Sequence, residues 1–492
     1  MKNTGILLHI SSLPGEYGIG DFGPQAYKFA DYLASNGHSL WQILPLNHCG
    51  YGNSPYNPLS AFALNPYLVS PELLYQQGYI SLADLREARL PATDSVCFEL
   101  VAKTKDRLLA RASDAWLLEN DLEDFLSRKG AELKPYLTFL ALTKLYSDSS
   151  WPQWNSQHRQ YNEDLFQKLF RNSNTPMRQW AVTQAILHEQ ITLFRQHLHK
   201  LGISLIGDLP LYLAYESADV WAQQHLFDLD EQGRRLHLAG VPPDVFASGG
   251  QLWGNPLYRW QDIQEEGFSL FLRRIGSALD YYDILRLDHF IGYVNYWQVD
   301  CRYDDRGEPL EPVDAMQGRW VDAVPEAFFE VLLSRFARER FLAEDLGILN
   351  ERVCQIRDRF GFPGMIVLQF CFEESVPDVH HYPADRWLYT STHDNATLRG
   401  WFESLAENSS SFQNLKEYCR QNKLRDCYSC LNAENIHLIM RQIAMSSPCQ
   451  KVILPMQDIL GLDNRARMNI PGTALGNWQW RMQSDKPGKF YA

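Results

Sequence analysis

Four carboxylates stand at the ends of apolar runs: Asp208 in SLIGDLP (204–210), Asp288 in DILRLDHF (283–290), Glu344 in RFLAEDLG (340–347) and Asp394 in WLYTSTHD (387–394). Runs of this length and composition read as buried strands, and acids that end several strands of one sheet converge on one edge. Converging carboxylates suit two chemistries. They hold a divalent cation, or they cleave a glycosidic bond with one acid as nucleophile and another as proton donor. A single aspartate at a strand end also serves turns and caps, so the weight rests on four tips together.

The surroundings sort the acids. Arg286 and Asp288 are two positions apart and project to one face of an extended strand. A fixed cation there favours the ionised carboxylate, as a nucleophile requires. Glu344 has apolar neighbours on both sides, and partial desolvation raises its pKa and keeps it protonated as a donor. Asp345 points to the opposite face from Glu344 and is read as a structural partner. A metal site would gather its acids in one loop, whereas these lie about 50 to 80 residues apart. His289 and His393 each adjoin a candidate acid. Strand-end imidazoles are placed to hydrogen-bond sugar hydroxyls, and the plain alternative is a partly buried structural histidine.

Bringing four tips to one rim needs a parallel barrel. Four further apolar runs, GILLHIS (5–11), LWQILP (40–45), GMIVLQF (364–370) and KVILPMQD (451–458), raise the count to eight. Most are near-continuous in apolar residues, as parallel strands covered by helices should be. Helical periodicity fills several of the gaps, as in QAYKFADYLASNG and FSLFLRRIGSALDYY. The pattern predicts an α/β fold, a (β/α)8 TIM barrel, with residues 1–492 as one catalytic domain. Three gaps exceed simple loops. Residues 72–175 are read as a helical insertion after strand two, and 211–267 and 295–326 as irregular loop subdomains after strands three and four. Each follows a strand and so rises from the C-terminal rim, where barrel enzymes keep their chemistry.

The formal charge of −13 and the lack of a basic stretch argue against nucleic acid as a partner. Fourteen Trp and 24 Tyr suit a large core, or stacking platforms for a flat ligand such as a sugar ring. The nine cysteines form no framework. Cys427 and Cys430 make a lone CxxC without the second pair a zinc site would want, so reduced thiols in a cytoplasmic enzyme are expected. MKNTGILLHISSLPG reads as a first strand and not a signal peptide, and no run of about 18 apolar residues points to a membrane span.

These motifs resemble the amylomaltase family of 4-α-glucanotransferases, relatives of the α-amylase superfamily. The resemblance runs through GILLHISSLPGEYGIGDFGPQAYKF, WQILPLNHCGYGNSPYNPLSAFALNPYL, IGDLPLYLAYESADVWA, GVPPDVFASGGQLWGNPLYRW, RLDHFIGYVNYW, LAEDLGIL, GFPGMIVLQF, YTSTHDNATLRGW and LPMQDILGLDNRARMNIPGTALGNWQWR. It is less clear over 72–200. It implies a retaining double displacement that moves α-1,4-glucan segments between malto-oligosaccharides, with no organic cofactor and no required metal. In that pattern Asp288 matches the nucleophile, Glu344 the general acid and then base, and Asp394 the third acid. Arg286, His289 and His393 match sugar-contacting or nucleophile-orienting positions, and Asp208 matches an acid that supports the nucleophile's surroundings. Tyr56, Gln251, Trp253 and Asn469 match substrate contacts, and Trp253 and Tyr258 are expected as stacking faces for the acceptor. Val245, Ala396 and the pair Asn57–Pro58 depart from the usual pattern, which bears on acceptor preference. The alternatives are an α-glucan hydrolase with the same three acids and a non-catalytic glucan-binding scaffold.

Overall fold

The computed structural model describes residues 2–172, 175–243, 249–304, 309–310, 314–347, 349–422, 424 and 431–483. Each of the eight apolar runs contains a strand: β1 (Asn3–Leu7), β2 (Leu40–Gln42), β3 (Ser204–Leu209), β4 (Ile284–Leu287), β5 (Phe341–Ala343), β6 (Met365–Val367), β7 (Trp387–Tyr389) and β8 (Lys451–Pro455). They pair in parallel in the order β5-β4-β3-β2-β1-β8-β7-β6, the cyclic order of a (β/α)8 barrel.

The seam between β5 and β6 is joined differently. Ala343 N donates to Pro363 O at 2.9 Å, and Met365 N donates to Asp345 Oδ1 at 2.7 Å. The other oxygen of the buried Asp345 accepts from Arg357 at 2.6 Å and from Arg386 at 2.7 Å. Asp345 thus staples the end of one strand to the start of the next and to the helix Glu351–Phe360. Gly364 is the glycine this close approach needs, since a Cβ there would lie 2.2 Å from the Asp345 carboxylate.

The strands are shorter than the apolar runs. LQF of the sixth run already belongs to the helix Leu368–Glu374, and Met456–Ile459 at the end of the eighth is helical. An apolar run alone does not distinguish a buried strand from the first turn of a buried helix. THD of the seventh run lies beyond β7 in a turn, so Asp394 is a loop residue and not a strand tip.

Amphipathic helices cover the barrel. Pro24–Ser35 starts with proline at its first turn, where the missing N–H costs nothing. Trp41 of β2 meets Phe194 of the helix Met177–Lys200 edge to face, at 5.5 Å. Between β2 and β3, helices Phe98–Glu119 and Leu122–Leu145 pack on Met177–Lys200.

After β3 and β4 the structure corrects the expectation of irregular loops. His237–Val241 and Gln251–Pro256 from one excursion join Asn295–Asp300 and Arg319–Asp322 from the other in a four-stranded antiparallel sheet. Gly240, Gly254 and Pro256 interrupt the alternation that would have marked the first two of these strands. Val245, Cys427 and Cys430 lie outside the described residues. Among the described residues no helix is long and apolar enough to cross a membrane.

Candidate active site

The site begins with register. β3 and β4 pair so that Asp208 lies opposite Arg286, and β5 places Leu342 opposite the same arginine. Side chains of paired residues share a face, so Asp208, Arg286 and, two residues on, Asp288 meet at one level. Gly207 permits this, because a Cβ there would lie 2.3 Å from the Tyr282 ring. Arg286 Nη1 donates to both oxygens of Asp208, at 2.9 and 2.8 Å, and to Asp288 Oδ1 at 2.7 Å. Its Nη2 lies 3.8 Å from Glu344 Oε2. Burial works against the Arg286 charge, but Asp208, Asp288 and Glu344 outweigh it and hold its pKa well above the ordinary guanidinium value. The acids therefore surround a built-in cation.

Glu344 immediately follows β5. Its Oε2 accepts from His289 N at 2.7 Å and its Oε1 from Leu346 N at 3.2 Å. The first bond is set by an uncommon backbone: His289 has φ +50°, in the left-handed region that non-glycine residues rarely adopt. Burial is the largest influence on the Glu344 carboxyl. With the Asp288 charge adding to it and Arg286 opposing, it pushes the pKa up to about 8. Desolvation wins because the glutamate meets the guanidinium at 3.8 Å, without the direct hydrogen bond that Asp288 has.

Asp394 enters from the turn after β7. Its Oδ1 accepts from Asn469 Nδ2 at 2.7 Å, its Oδ2 lies 3.3 Å from His393 Nε2, and its backbone carbonyl accepts from Arg467 at 2.6 Å. Burial raises this carboxyl, but His393 and Asn469 outweigh it and hold it well below the usual carboxylate range. Tyr56 ties the two sides together. Its ring stacks on His393 with centroids 5.2 Å apart and planes 11° from parallel, and its hydroxyl donates to Asp208 Oδ2 at 2.8 Å.

Trp253 stands on the antiparallel sheet, 37% exposed, with its ring edge-on to His289 at 4.8 Å. Gln251 reaches this group through Trp253, whose Nε1 lies 3.3 Å from Gln251 Oε1. Burial holds the His289 imidazole down at about 4, so it stays neutral at pH 7. Tyr258 does not line the site, contrary to expectation. It is buried, its hydroxyl donates to Leu211 O at 2.8 Å, and its ring packs on Tyr212 and Phe271. Aromatic residue type did not reveal which face of the loop it occupies.

Three residues near the site were not singled out from sequence. Arg467 holds the backbone at Asp394. Trp478, with φ +65°, brings its ring within 5.6 Å of Tyr56 and 6.0 Å of His393. Asp458 ends the eighth apolar run and is buried beneath the Asp394 turn. Its place at the end of that run was the available signal.

A parallel (β/α)8 barrel with a cation-bound carboxylate after one strand and a protonated carboxyl after the next defines a carbohydrate-processing barrel enzyme of the two-carboxylate kind. A family model described as 4-alpha-glucanotransferase matches residues 8–486. A 4-alpha-glucanotransferase of Aquifex aeolicus is 38% identical, covering 99% of this chain and 96% of its own. One from Thermus thermophilus is 36% identical, covering 97% and 94%. A solved amylomaltase from Streptococcus agalactiae, in complex with acarbose, superposes with a TM-score of 0.89 at 31% identity over 99% and 96% of the two chains. The chain belongs to the 4-alpha-glucanotransferase family.

Proposed function

We propose that the protein transfers α-1,4-glucan segments between malto-oligosaccharides or longer glucans by a retaining double displacement. Asp288 attacks the anomeric carbon while Glu344 protonates the leaving glycosidic oxygen. The sugar is then carried on Asp288. Glu344, now deprotonated, takes the proton from the incoming acceptor hydroxyl as that oxygen displaces Asp288. Asp394, held anionic by His393 and Asn469, binds sugar hydroxyls and stabilises the positive charge that develops on the ring. Arg286 fixes the nucleophile's orientation and Asp208 fixes Arg286. Tyr56 offers an aromatic face beside the reacting sugar, and Trp253, Gln251 and His289 line the acceptor side.

The observation that carries this reading is the asymmetry around Arg286: a direct 2.7 Å bond to Asp288, but 3.8 Å to a Glu344 that stays protonated up to about pH 8. The names of the relatives and the acarbose in the Streptococcus agalactiae complex support a saccharide substrate. The barrel is treated as one catalytic domain, with the 72–175, 211–267 and 295–326 segments as excursions that shape the cleft. A cytoplasmic site belongs to the same reading, supported by the lack of any disulfide among the seven described cysteines. The test is incubation with maltotriose. Transfer yields glucose and a ladder of longer chains at constant reducing ends. Hydrolysis raises reducing ends, and a scaffold changes nothing.

A further inference from the structure

Asp458 follows β8 and takes no part in the reaction as proposed, yet its carboxylate grips both ends of the segment that carries Asp394. Its Oδ2 accepts from Ser391 Oγ at 2.6 Å and from Thr390 Oγ1 at 3.1 Å, on the approach from β7. Its Oδ1 accepts from Leu398 N at 2.8 Å, where the segment enters the helix Leu398–Ser404. Asp458 is buried, and the partners of its carboxylate among the described residues are two hydroxyls and one backbone N–H. Burial without a bonded cation pushes its carboxyl up to about 6.

The inner side of the turn is not packed tight. A small cavity, lined by His9, Ser391, His393, Asp458 and Arg467 among others, lies behind it. His9 is buried on its wall, with no hydrogen-bond partner for Nδ1 among the described residues. Side chains that line a cavity lack partner atoms there, so hydrogen bonds carry more of the turn's positioning. Hydrogen bonds fix its position, from Arg467 and Asn469 at its middle and from Asp458 at both ends.

We propose that Asp458 is a positioning residue for Asp394: it closes the 390–398 segment onto β8 and sets the height at which Asp394 meets the sugar. The proposal rests on the role given to Asp394 above. It predicts that loosening the clamp harms the chemical step more than ground-state binding, because Asp394 acts chiefly on the charge developed in the transition state.

The experiment is a double-mutant cycle with Asp458→Asn and Asp394→Asn, assayed with an activated donor, α-maltosyl fluoride, and maltose as acceptor. Asp458→Asn is expected to lower kcat about 10–100-fold with KM moved less than about threefold. In the Asp394→Asn background the same change should cost less than about threefold, since the group it positions is already lost. Equal losses in both backgrounds, or no loss in the first, overturn the proposal. Normal turnover by Asp394→Asn alone overturns the reading of Asp394 and the proposal with it. If Asp458→Asn does not fold, Ser391→Ala and Thr390→Val remove the donors one at a time. Each should lower kcat with the same non-additivity toward Asp394→Asn, and unchanged kcat in both overturns the proposal.

Discussion

Arg286 and Asp288 are bonded at 2.7 Å through a single guanidinium nitrogen, Nη1, which also donates to both oxygens of Asp208. Asp288, the nucleophile of the proposed reaction, is therefore aimed by a buried cation that is itself fixed from the neighbouring strand. Lysine would preserve the charge but not the planar fork. Arg286→Lys should lower kcat/KM on maltotriose by about 100-fold or more. Steady-state kinetics beside a circular-dichroism check of folding measure this, and a loss under threefold contradicts it.

Asp208 carries a different burden. Its side chain is fully buried and Arg286 nearly so, at 0% and 5% exposure. Removing Asp208 leaves Arg286 with Asp288 as its one directly bonded acid in a site built for both, a cost of up to about 3–5 kcal/mol. Asp208→Ala should lower the midpoint of thermal or urea unfolding clearly, whereas the exposed-pair variant Arg128→Ala should barely move it. Equal midpoints for the two would refute the assignment of Asp208 as the anchor.

The proton on Glu344 sets the basic side of the activity profile. The donor works while protonated, and rising pH removes that proton as it passes the carboxyl's pKa of about 8. The value of kcat/KM should stay level approaching that pH and fall above it. Glu344→Gln should lose the limb together with most of the activity, a loss of about 10²–10⁴. A basic limb that persists in the glutamine variant would belong to another group.

Trp253 faces the cleft from the antiparallel sheet, edge-on to His289. In the proposed reaction its ring meets the acceptor sugar, so Trp253→Ala should raise KM for the acceptor more than it lowers kcat. It should also raise the share of hydrolysis, as water competes for a less well-bound site. Counting reducing ends released per glucose transferred measures the ratio, and an unchanged ratio speaks against the acceptor role.

The first three acids were legible in sequence because the strand period fixes which residues share a face. Arg286 and Asp288 at two-residue spacing had to project together, and the β3–β4 register brought Asp208 to them. The protonated state of Glu344 followed from its apolar neighbours. What stayed hidden depended on contacts between distant segments. The Asp394 turn is shaped by Asp458 and Asn469, 60 to 75 positions away. The antiparallel sheet assembles from two excursions, and Gly240, Gly254 and Pro256 broke the strand signal in the first. Tyr258 and Trp253 are both aromatics of one loop, and only packing decided that one is buried and the other exposed.

The central claim is that Asp288 carries the glycosyl group, and trapping that intermediate tests it most directly. Glu344→Gln with α-maltosyl fluoride forms the covalent species from a leaving group that needs no acid, and slows its release for want of a base. Proteolysis and mass spectrometry should find the maltosyl mass on the peptide holding Asp288, and none in an Asp288→Asn/Glu344→Gln double variant. A sugar found on Asp208 or Asp394, or turnover by Asp288→Asn at the normal rate, would contradict the account.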